Sequence, residues 1–401
     1  MLKTSNRRTV IAILAVHLLT SCRCKVRVGL IGLPNVGKST LFNALARKSI
    51  AHAANFPFCT IEPNIAPVAV PDEHLAHLSS LAGTERTVPA TIEWVDIAGL
   101  AKGASRGEGL GNKFLGTVRE CDAVCHVVRA FESPDTIHVE GRVDPADDVE
   151  LINLELVLAD LAHVERRLER TTCRGVERAA LEAVAEGLQA GVPARSLDLA
   201  PERLAAIKSM GLLTLKPVLY AFNVDEVDCT LGRPEALAAA RAALAAVQHW
   251  DPSRDMLALV SAQLEAELSQ QSSEAQRAFL QDLGVDEPGA LDAELSHAAL
   301  PRMACELLGL ATTYTGPGVP PQNTQTTKAH LFSRSSSLTA EGVAARLHGD
   351  ISRGFIRAEV VGAEELLAHA SFAAAKEAGC VRTEGRDYVV NDRDVVLIKW
   401  R

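Results

Sequence analysis

Apolar residues recur along the chain in five short runs, and polar or helix-periodic stretches separate most of them. Runs of this length, bounded by Gly, Pro or polar residues, are typical of buried strands. An alternation of such strands with helices indicates a parallel sheet covered by helices. The pattern therefore predicts a doubly wound, mostly parallel α/β domain. The runs are "VRVGLIG" (26–32), "TIEWVDI" (91–97), "AVCHVV" (123–128), "PVLYAF" (217–222) and "MLALVS" (256–261).

Helical periodicity extends over almost all of residues 148–210, which lie between the third run (123–128) and the fourth (217–222). A second helix rich in Ala and Leu starts near residue 176, and Pro193 lies in the link beyond it. We expect an inserted antiparallel helical hairpin of the coiled-coil kind. The alternative is that these helices simply cover the sheet. The leucines of the first helix share one stripe: Leu151, Leu154, Leu158, Leu161 and Leu168.

The last part of the chain has a different pattern. The Gly-, Pro- and Thr-rich stretch "TTYTGPGVPPQNTQ" (312–325) predicts a boundary loop. Short strand-like segments and helical segments follow it, which indicates a small α+β domain over 309–401. They are "KAHLFSR" (328–334), "TAEGVAARLH" (339–348), "FIRAEVV" (355–361), "DYVV" (387–390) and "DVVLIKW" (394–400).

The first 25 residues do not fit either domain. They have a basic start, a short apolar run and a Leu-Thr-Ser-Cys ending, which is typical of a lipoprotein signal with Cys22 as its anchor. The first core strand begins only four residues after Cys22, however, and leads into a loop that requires cellular nucleotide. We therefore favour two other interpretations over a lipoprotein signal: the first 25 residues are a disordered extension, or the start of the protein is misassigned.

Composition indicates a globular chain of two or three domains, with 401 residues, 47% of them hydrophobic and 23% charged. The net charge is -9, and residues 28–308 alone sum to -16, which does not favour nonspecific nucleic-acid binding. Residues 309–401 sum to +1 and could meet RNA locally. The nine Cys show no CxxC pair, so we expect reduced thiols in a cytoplasmic protein.

The first run ends in a phosphate-binding pattern. Residues 32–39, "GLPNVGKS", fit GxxxxGK[ST] between a strand and a helix. Glycines there let backbone N–H groups turn toward phosphates, and the helix N-terminus favours their charge. Lys38 is expected to reach the outer phosphates, and the Ser39 hydroxyl to bind Mg²⁺. The predicted nucleotide contacts are Asn35, Val36, Gly37, Lys38, Ser39 and Thr40.

Two further segments carry candidate metal and phosphate ligands. "DIAGL" (96–100) follows a strand, so Asp96 is expected to hold Mg²⁺ through water and Gly99 to donate its N–H to the γ-phosphate. "NFPFCTIEPN" (55–64) lies where a first switch loop belongs, and Thr60 is its expected Mg²⁺ ligand.

These motifs, together with "VVRAFE", "LADLAHVERRL", "LLTLKPVLYAFNVDE" and "RGFIRAEVV", resemble the YchF or Obg-like ATPase family of P-loop NTPases. The resemblance covers Val26 to Arg401 and implies a nucleotide domain (26–147 and 211–308), an inserted helical hairpin (148–210) and a C-terminal TGS domain of β-grasp fold (309–401). It also implies ATP hydrolysis and association with the ribosome. Residues 316–340 diverge from the family pattern, and Arg393 stands where the family usually has Gly.

"AFNVDE" (221–226) closes the fourth run, where a nucleotide-binding protein of this class reads its base. Guanine offers two donors, its N1–H and its amino group, and an Asp carboxylate at this position accepts from both. Glu226 is longer by one methylene, so its carboxylate cannot lie where the Asp carboxylate would. Asn223 suits adenine, since an amide accepts from N6 and donates to N7. Adenine is therefore favoured, with contacts from Asn223, Val224, Glu226 and Ser261, although Ser261 could instead be only a helix N-cap.

The residue after Gly99 is Leu100, which has no group to hold an attacking water. Hydrolysis is therefore expected to be slow or to use another group. His138 is one candidate, against the alternative of an ordinary exposed His, while His126 lies in an apolar strand and is expected in the core. By analogy with P-loop proteins that lack the Gln, K⁺ held by Asn35 is another candidate.

Three functions remain open from the sequence. The favoured one is a cytoplasmic, ribosome-associated ATPase that uses ATP and Mg²⁺, serves translation or the stress response, and has no membrane partner. Contacts to ribosomal RNA are expected through the helical and TGS domains. The alternatives are an Obg-like GTPase in ribosome assembly and a non-catalytic, nucleotide-gated binding module.

Overall fold

The computed structural model describes residues 25–52, 64–97, 110–133, 141–285, 295–316 and 326–401. The strands, numbered in chain order, are β1 (Arg27–Ile31), β2 (Ile65–Ala69), β3 (Arg86–Val88), β4 (Thr91–Asp96), β5 (Ala123–Arg129), β6 (Val218–Asn223), β7 (Met256–Val260), β8 (Leu310–Thr315), β9 (Thr326–Ser333), β10 (Phe355–Gly362), β11 (Arg382–Glu384) and β12 (Asp394–Trp400).

The α-helices of the same residues are α1 (Lys38–His52), α2 (Glu73–Ala82), α3 (Leu110–Glu120), α4 (Pro145–Leu168), α5 (Gly175–Gln189), α6 (Pro201–Ile207), α7 (Glu226–Cys229), α8 (Arg233–Ala246), α9 (Ala262–Leu268), α10 (Ser273–Asp282), α11 (Ser296–Leu307), α12 (Ala340–Leu347), α13 (Gly349–Arg353), α14 (Ala363–Leu367) and α15 (Phe372–Glu377).

The chain divides into two units. Within the described residues, the first contains 25–51, 64–68 and the part of 92–308 that the structure describes, and the second contains residue 52, 69–91 and the corresponding part of 309–401. The predicted N-terminal extension lies outside the described residues, except for Lys25.

The sheet of the first unit has the order β2-β4-β1-β5-β6-β7. The five apolar runs form five of its strands, and β4, β1, β5, β6 and β7 pair with their neighbours in parallel. Every residue of β5 and β6 is buried, as continuous apolar runs require. The prediction of a mostly parallel α/β sheet is confirmed. Strand β2 was not predicted, because Pro67 interrupts its pattern.

Helices α4 and α5 form a hairpin that packs partly on itself. Val157 and Val164 of α4 share a cluster with residues of α5 such as Leu181 and Val184. Val149, near the start of α4, instead joins the cluster of β5, β6 and β7. Both interpretations of the sequence therefore hold in part: the first turns of α4 cover the sheet, and its later turns pair with α5.

The predicted leucine stripe of α4 is buried only in part: Leu161 and Leu168 pack against the hairpin cluster, whereas Leu154 faces solvent. Leu154 is 51% exposed, whereas Glu155 is 6% and Asp160 is 0% exposed. The cause is that protein donors satisfy the Asp160 carboxylate, so a charged position faces the interior. A sequence pattern assigns such a position to the solvent face.

The second unit is built on a mixed sheet with the order β11-β10-β12-β8-β9-β3. Strands β8 and β12 pair in parallel, while β8 with β9, and β10 with β11 and β12, pair antiparallel. Strand β8 occupies Leu310–Thr315, so the prediction of a boundary loop from residue 312 is wrong over its first four residues. "DYVV" forms no strand but an isolated bridge between Val389 and Thr339.

Residues 69–91 were assigned to the nucleotide domain, whereas the structure groups them with the second unit. The reason is a set of contacts that bridge long sequence separations. Strand β3 pairs in parallel with β9, and the Tyr314 hydroxyl donates to both Asp72 carboxylate oxygens, at 3.1 and 2.9 Å. Leu75 and Leu78 of α2 also lie in the core of this unit.

Arg393 has a left-handed backbone conformation, with φ of 65°. This position, just before β12, is the one where the sequence departs from the expected Gly. A left-handed conformation costs about 1–2 kcal/mol for a residue with a side chain. Two backbone hydrogen bonds fix it: Arg393 N donates to Thr312 O at 2.7 Å, and Arg393 O accepts from Ala363 N at 2.9 Å.

We therefore expect Arg393→Gly to stabilise the protein by about 1 kcal/mol, because the ion pair that it removes, with Glu364, is exposed and of little value. Thermal unfolding measures the gain. The matched control is Asn64→Gly, at φ of 73°, where the gain should be smaller because Asn tolerates this conformation better. A lower unfolding midpoint for Arg393→Gly would show that the ion pair outweighs the strain.

Candidate functional site

The loop between β1 and α1 has the backbone shape of an anion cradle. Gly32, Asn35 and Gly37 have φ values of 149°, 60° and 95°. A Cβ atom at Gly32 would collide with Val127 O, and one at Gly37 would collide with the Asn223 side chain. Only glycine fits both places, and the resulting turn leads into the N-terminus of α1, which favours negative charge.

Lys38, the first residue of α1, is held inside this loop. It is 6% exposed, and its Nζ donates a hydrogen bond to Leu33 O at 2.5 Å. Burial lowers its pKa to about 8, although the nearby Asp96 carboxylate acts in the opposite direction. Ser39 and Thr40 are exposed on the first turn of the helix. The loop thus holds a buried cation beside accessible hydroxyls.

Asp96 is the last residue of β4 and is aligned with Leu30 of β1, two residues before Gly32. Its Oδ1 is buried and has no hydrogen-bond partner within the described residues. A buried carboxylate oxygen without a donor is costly unless a cation or water serves it. Together with the Ser39 hydroxyl, this oxygen fits Mg²⁺, which prefers oxygen ligands and retains several waters. Gly99 and Thr60 lie outside the described residues.

Asn223, at the end of β6, joins the phosphate loop to the loop after β7. It is 3% exposed, its Nδ2 donates to Val36 O at 2.9 Å, and its Oδ1 accepts from Ala262 N at 2.9 Å. The structure therefore brings three predicted segments together at the carboxyl ends of the parallel strands, where ligands bind in open α/β sheets. These two hydrogen bonds use one amide hydrogen and one lone pair of Asn223, which has two of each.

The other predicted base contacts lie next to Asn223. Val224 N donates to Val260 O at 2.9 Å, and Asp225 caps α7 by accepting from Asp228 N at 2.8 Å. Glu226 is the first residue of α7 and is half-buried. Burial raises the pKa of its carboxyl group, and the negative charges of Glu267 and Asp225 raise it further.

Ser261 acts as the N-cap of α9, which was the alternative interpretation of this residue. It is 1% exposed, and its Oγ accepts a hydrogen bond from Leu264 N at 3.4 Å. A contact of Ser261 with a base stays a prediction.

Of the two histidines considered from the sequence, His126 and His138, the structure describes only His126. His126 is 2% exposed, and burial lowers its pKa to about 3, so it is a neutral core residue as predicted. Its ring centroid lies 5.7 Å from that of Tyr220. His138 lies outside the described residues.

Arg129 is a buried cation at the same sheet edge that the sequence analysis did not identify. It ends β5, is 2% exposed and is aligned with Asn223 of β6. Its Nε donates to Phe131 O at 3.1 Å, and its guanidinium lies 4.5 Å from the centre of the Phe131 ring. An Arg that directly follows a six-residue apolar run was the available signal.

The pKa of Lys38 leads to a prediction about binding. Phosphates favour the charged lysine, so an anion in the loop should raise the lowered pKa again. With its pKa lowered to about 8, part of the empty protein lacks this proton at pH 8. Nucleotide binding at pH 8 should therefore take up a fraction of a proton, because phosphate groups are already ionised there. Binding calorimetry in buffers of different ionisation enthalpy measures the uptake, and zero uptake would contradict this account.

Two sequence families match the chain. Residues 27–160 match the family described as "50S ribosome-binding GTPase". Residues 324–401 match the C-terminal domain of YchF GTPases, which is described as a protein of unknown function. Across the described residues, no helix combines the length and apolar character needed to cross a membrane.

Curated relatives cover nearly the whole chain. The chain is 43% identical to the ribosome-binding ATPase YchF of Bacillus subtilis, over 93% of this chain and 98% of the relative. It is 41% identical to the protein of the same name from Escherichia coli O157:H7, over 92% and 98%. Among solved structures, the YchF GTPase of Schizosaccharomyces pombe is similar, with a TM-score of 0.77, 31% identity and coverage of 94% of this chain and 99% of that one.

Proposed function

Because this chain belongs to the YchF family of P-loop NTPases, we propose that it is a ribosome-binding ATPase that hydrolyses ATP to ADP and phosphate. In this proposal it serves as a nucleotide-dependent switch in translation or the stress response and works in the cytoplasm. The names of its curated relatives support both the activity and the ribosomal partner.

The observation that carries the proposal is the convergence of three segments at one sheet edge. The phosphate loop holds a buried Lys38, the Asp96 carboxylate lies on the neighbouring strand, and Asn223 ties the loop to the segment after β7. In this proposal these residues provide a positive charge, a metal ligand and a base-reading amide at one edge of the sheet. This is the set of groups that binding and cleavage of a nucleoside triphosphate require.

Each of these residues has a definite task in the proposed reaction. Lys38 places an ammonium against the outer phosphates, and the N–H groups from Asn35 to Thr40 bind the phosphate oxygens. Ser39, Asp96 and Thr60 would hold Mg²⁺, and Gly99 would donate its N–H to the γ-phosphate. When bound, Mg²⁺ supplies positive charge that neutralises the charge developing on the phosphates.

The attacking water lacks the side chain that many related enzymes provide. Leu100 follows Gly99 in the sequence and cannot hold water, so we expect slow turnover of the isolated protein. His138, or K⁺ beside Asn35, would supply the missing group. A His138→Ala variant with unchanged turnover, or equal rates in K⁺ and Na⁺ salts, would exclude the respective candidate.

Adenine is the base that suits the residues around Asn223. The Asn223 amide has a second donor and a second acceptor site, which match N7 and the N6 amino group of adenine. Glu226 is displaced by one methylene from where an Asp carboxylate would accept the two guanine donors.

Glu226→Asp should therefore raise the affinity for GTP. A bidentate base contact is worth about 1–3 kcal/mol, so we expect a gain of about tenfold to a hundredfold. ATP affinity should fall or stay level, because the new carboxylate would face the N1 lone pair of adenine. Competition binding with a fluorescent nucleotide measures both affinities. The matched control is Glu267→Asp, the neighbouring acid, which should leave the ratio of the two affinities unchanged.

The second candidate is a GTPase that acts in ribosome assembly. Its support is that the family matched by residues 27–160 is described as a GTPase and that the similar Schizosaccharomyces pombe protein is named a GTPase. Competition between ATP and GTP for the purified chain separates the two. A non-catalytic binding module is the third candidate, and turnover measured with and without ribosomes decides that case.

A further inference from the structure

The C-terminal end of α3 is fastened to two other parts of the first unit. Helix α3 is the first described element after β4, and its last residues lead directly into β5. Arg119 Nη1 donates to Asp160 Oδ1 of α4 at 3.2 Å and to Gly211 O at 3.0 Å. Lys216 Nζ donates to Arg119 O at 3.0 Å and also to Cys121 O. The helix is thereby connected to the hairpin and to the segment before β6.

Asp160 is the centre of this arrangement. Its side chain is 0% exposed and accepts from Leu213 N at 3.1 Å, Thr214 N at 2.7 Å and Thr214 Oγ1 at 2.8 Å. Thr214 Oγ1 in turn accepts from Ala194 N, in the segment after α5, at 3.2 Å. One buried carboxylate thus connects α4 to the segment before β6 and, through Thr214, to the segment after α5.

Neither the Asp160 carboxylate nor the carbonyl groups at the end of α3 depend on Arg119 for a hydrogen-bond partner. Three donors from Leu213 and Thr214 already satisfy the Asp160 carboxylate without Arg119. The buried Lys216 ammonium already serves the carbonyl groups at the end of α3, where a positive charge favours the helix dipole. Arg119, whose side chain is 22% exposed, therefore adds a link between two helices.

The ion pair of Arg119 with Asp160 connects the helical hairpin to the helix that follows the segment assigned to nucleotide. In chain order, α3 follows the Asp96 segment, which we assign to Mg²⁺ and the γ-phosphate, and α4 is the long helix of the hairpin. We propose that the ion pair of Arg119 with Asp160 couples nucleotide occupancy to the helical hairpin. The pair makes α3 and α4 move as one body, so the hairpin reports whether nucleotide is bound. This inference rests on the proposed function, because it requires a nucleotide at the phosphate loop.

Arg119 and Asp160 are positioning residues in this scheme, and neither is assigned a contact with nucleotide. Coupling between two sites typically changes an equilibrium about fivefold to 150-fold, and the effect is reciprocal. A link with a purely structural role would change stability alone. It would leave the response of the hairpin to nucleotide intact, and this difference is what an experiment can detect.

The test is amide hydrogen exchange on the full chain, empty, with ADP and with a non-hydrolysable ATP analogue plus Mg²⁺. The variant is Arg119→Gln, which keeps the donors of Asp160 from Leu213 and Thr214. The matched control is Arg167→Gln, which removes an ion pair with Glu177 between α4 and α5. Arg167 is 23% exposed, close to the 22% of Arg119, but its pair lies within the hairpin.

In the wild type, exchange in α4 and α5 should differ at least about fivefold between the empty and the analogue-bound protein. Arg119→Gln should reduce this difference to less than about twofold while the analogue still protects α1. Arg167→Gln should keep it. Melting temperatures of the two variants provide the check on folding.

Three results would overturn the inference. They are an undiminished hairpin response in Arg119→Gln, an equal loss in Arg167→Gln, and a wild type that protects α1 on binding nucleotide but shows no response in the hairpin. A wild type in which no nucleotide protects α1 would overturn the proposed function itself. The two failures are therefore distinguishable.

Discussion

Lys38→Ala should lower nucleotide affinity by about a hundredfold and remove measurable turnover while the fold stays intact. Removing one partner of a buried, hydrogen-bonded charge pair costs about 2–5 kcal/mol, and about 1.4 kcal/mol corresponds to a factor of ten. The fold should tolerate the change, because burial of the ammonium is unfavourable in the empty protein and already lowers its pKa to about 8.

The matched control is Lys25→Ala, which removes a lysine of the same unit whose side chain is 71% exposed and paired with Glu93. This variant should keep full affinity and turnover. Equilibrium binding of a fluorescent ATP analogue, phosphate release and thermal unfolding are the three readouts. Unchanged turnover in Lys38→Ala would remove the NTPase interpretation, and a large loss of stability would show that Lys38 holds the loop together.

Asn223→Ala should have the second largest effect, because it acts on the fold and on the site together. Removing the amide leaves Val36 O and Ala262 N without the partner that they now have. An unsatisfied buried group costs about 1–3 kcal/mol, so the two together should lower the free energy of unfolding by about 2–6 kcal/mol. Affinity for ATP should also fall at least about tenfold, since the base contact is worth about 1–3 kcal/mol.

Denaturant unfolding and competition binding separate the two contributions. The control is Asn391→Ala in the second unit, an exposed residue whose amide donates to the Tyr388 hydroxyl, and which should not alter nucleotide affinity. A normal unfolding midpoint combined with weaker ATP binding would mean that the Asn223 hydrogen bonds do not stabilise the loops. A lower midpoint with unchanged ATP affinity would exclude Asn223 as a reader of the base.

The features that the sequence predicted are those in which local chemistry decides the structure. The strands β1, β4, β5, β6 and β7 are apolar over their length, and such runs have few alternatives to a buried strand. The phosphate loop was predictable for a similar reason, because Gly32 and Gly37 stand where any side chain would collide with a neighbour. Both conclusions need only short stretches of sequence.

The features that escaped prediction depend on partners far away in the chain. The hydrogen bond from Asn223 to Val36 spans 187 residues, and that from Thr214 to Asp160 spans 54. No residue near Asp160 in the sequence indicates that Leu213 and Thr214 donate hydrogen bonds to it. Asp160 was therefore expected on the exposed face of α4, although it is buried. Residues 69–91 were assigned to the wrong unit in the same way, because strand β9 and Tyr314 hold them.

The base-reading region lies between these cases. Asn223 was predicted to contact a ligand, and in the structure its side chain accepts a hydrogen bond from Ala262 N in the segment after β7. Ser261 was predicted to contact the base, and in the structure it caps α9. Small polar residues at strand ends satisfy backbone groups and ligands with the same atoms. A sequence motif therefore shows that such a residue matters without showing which role dominates.

The most direct test of the central claim is to measure ATP and GTP affinity, and the turnover of each, for the purified chain with Mg²⁺. ATP should bind at least about tenfold more tightly than GTP, as one lost bidentate contact requires. Release of phosphate from ATP should be slow. GTP binding as tightly as ATP would contradict the assignment of adenine, because neither Glu226 nor Asn223 would then select the base.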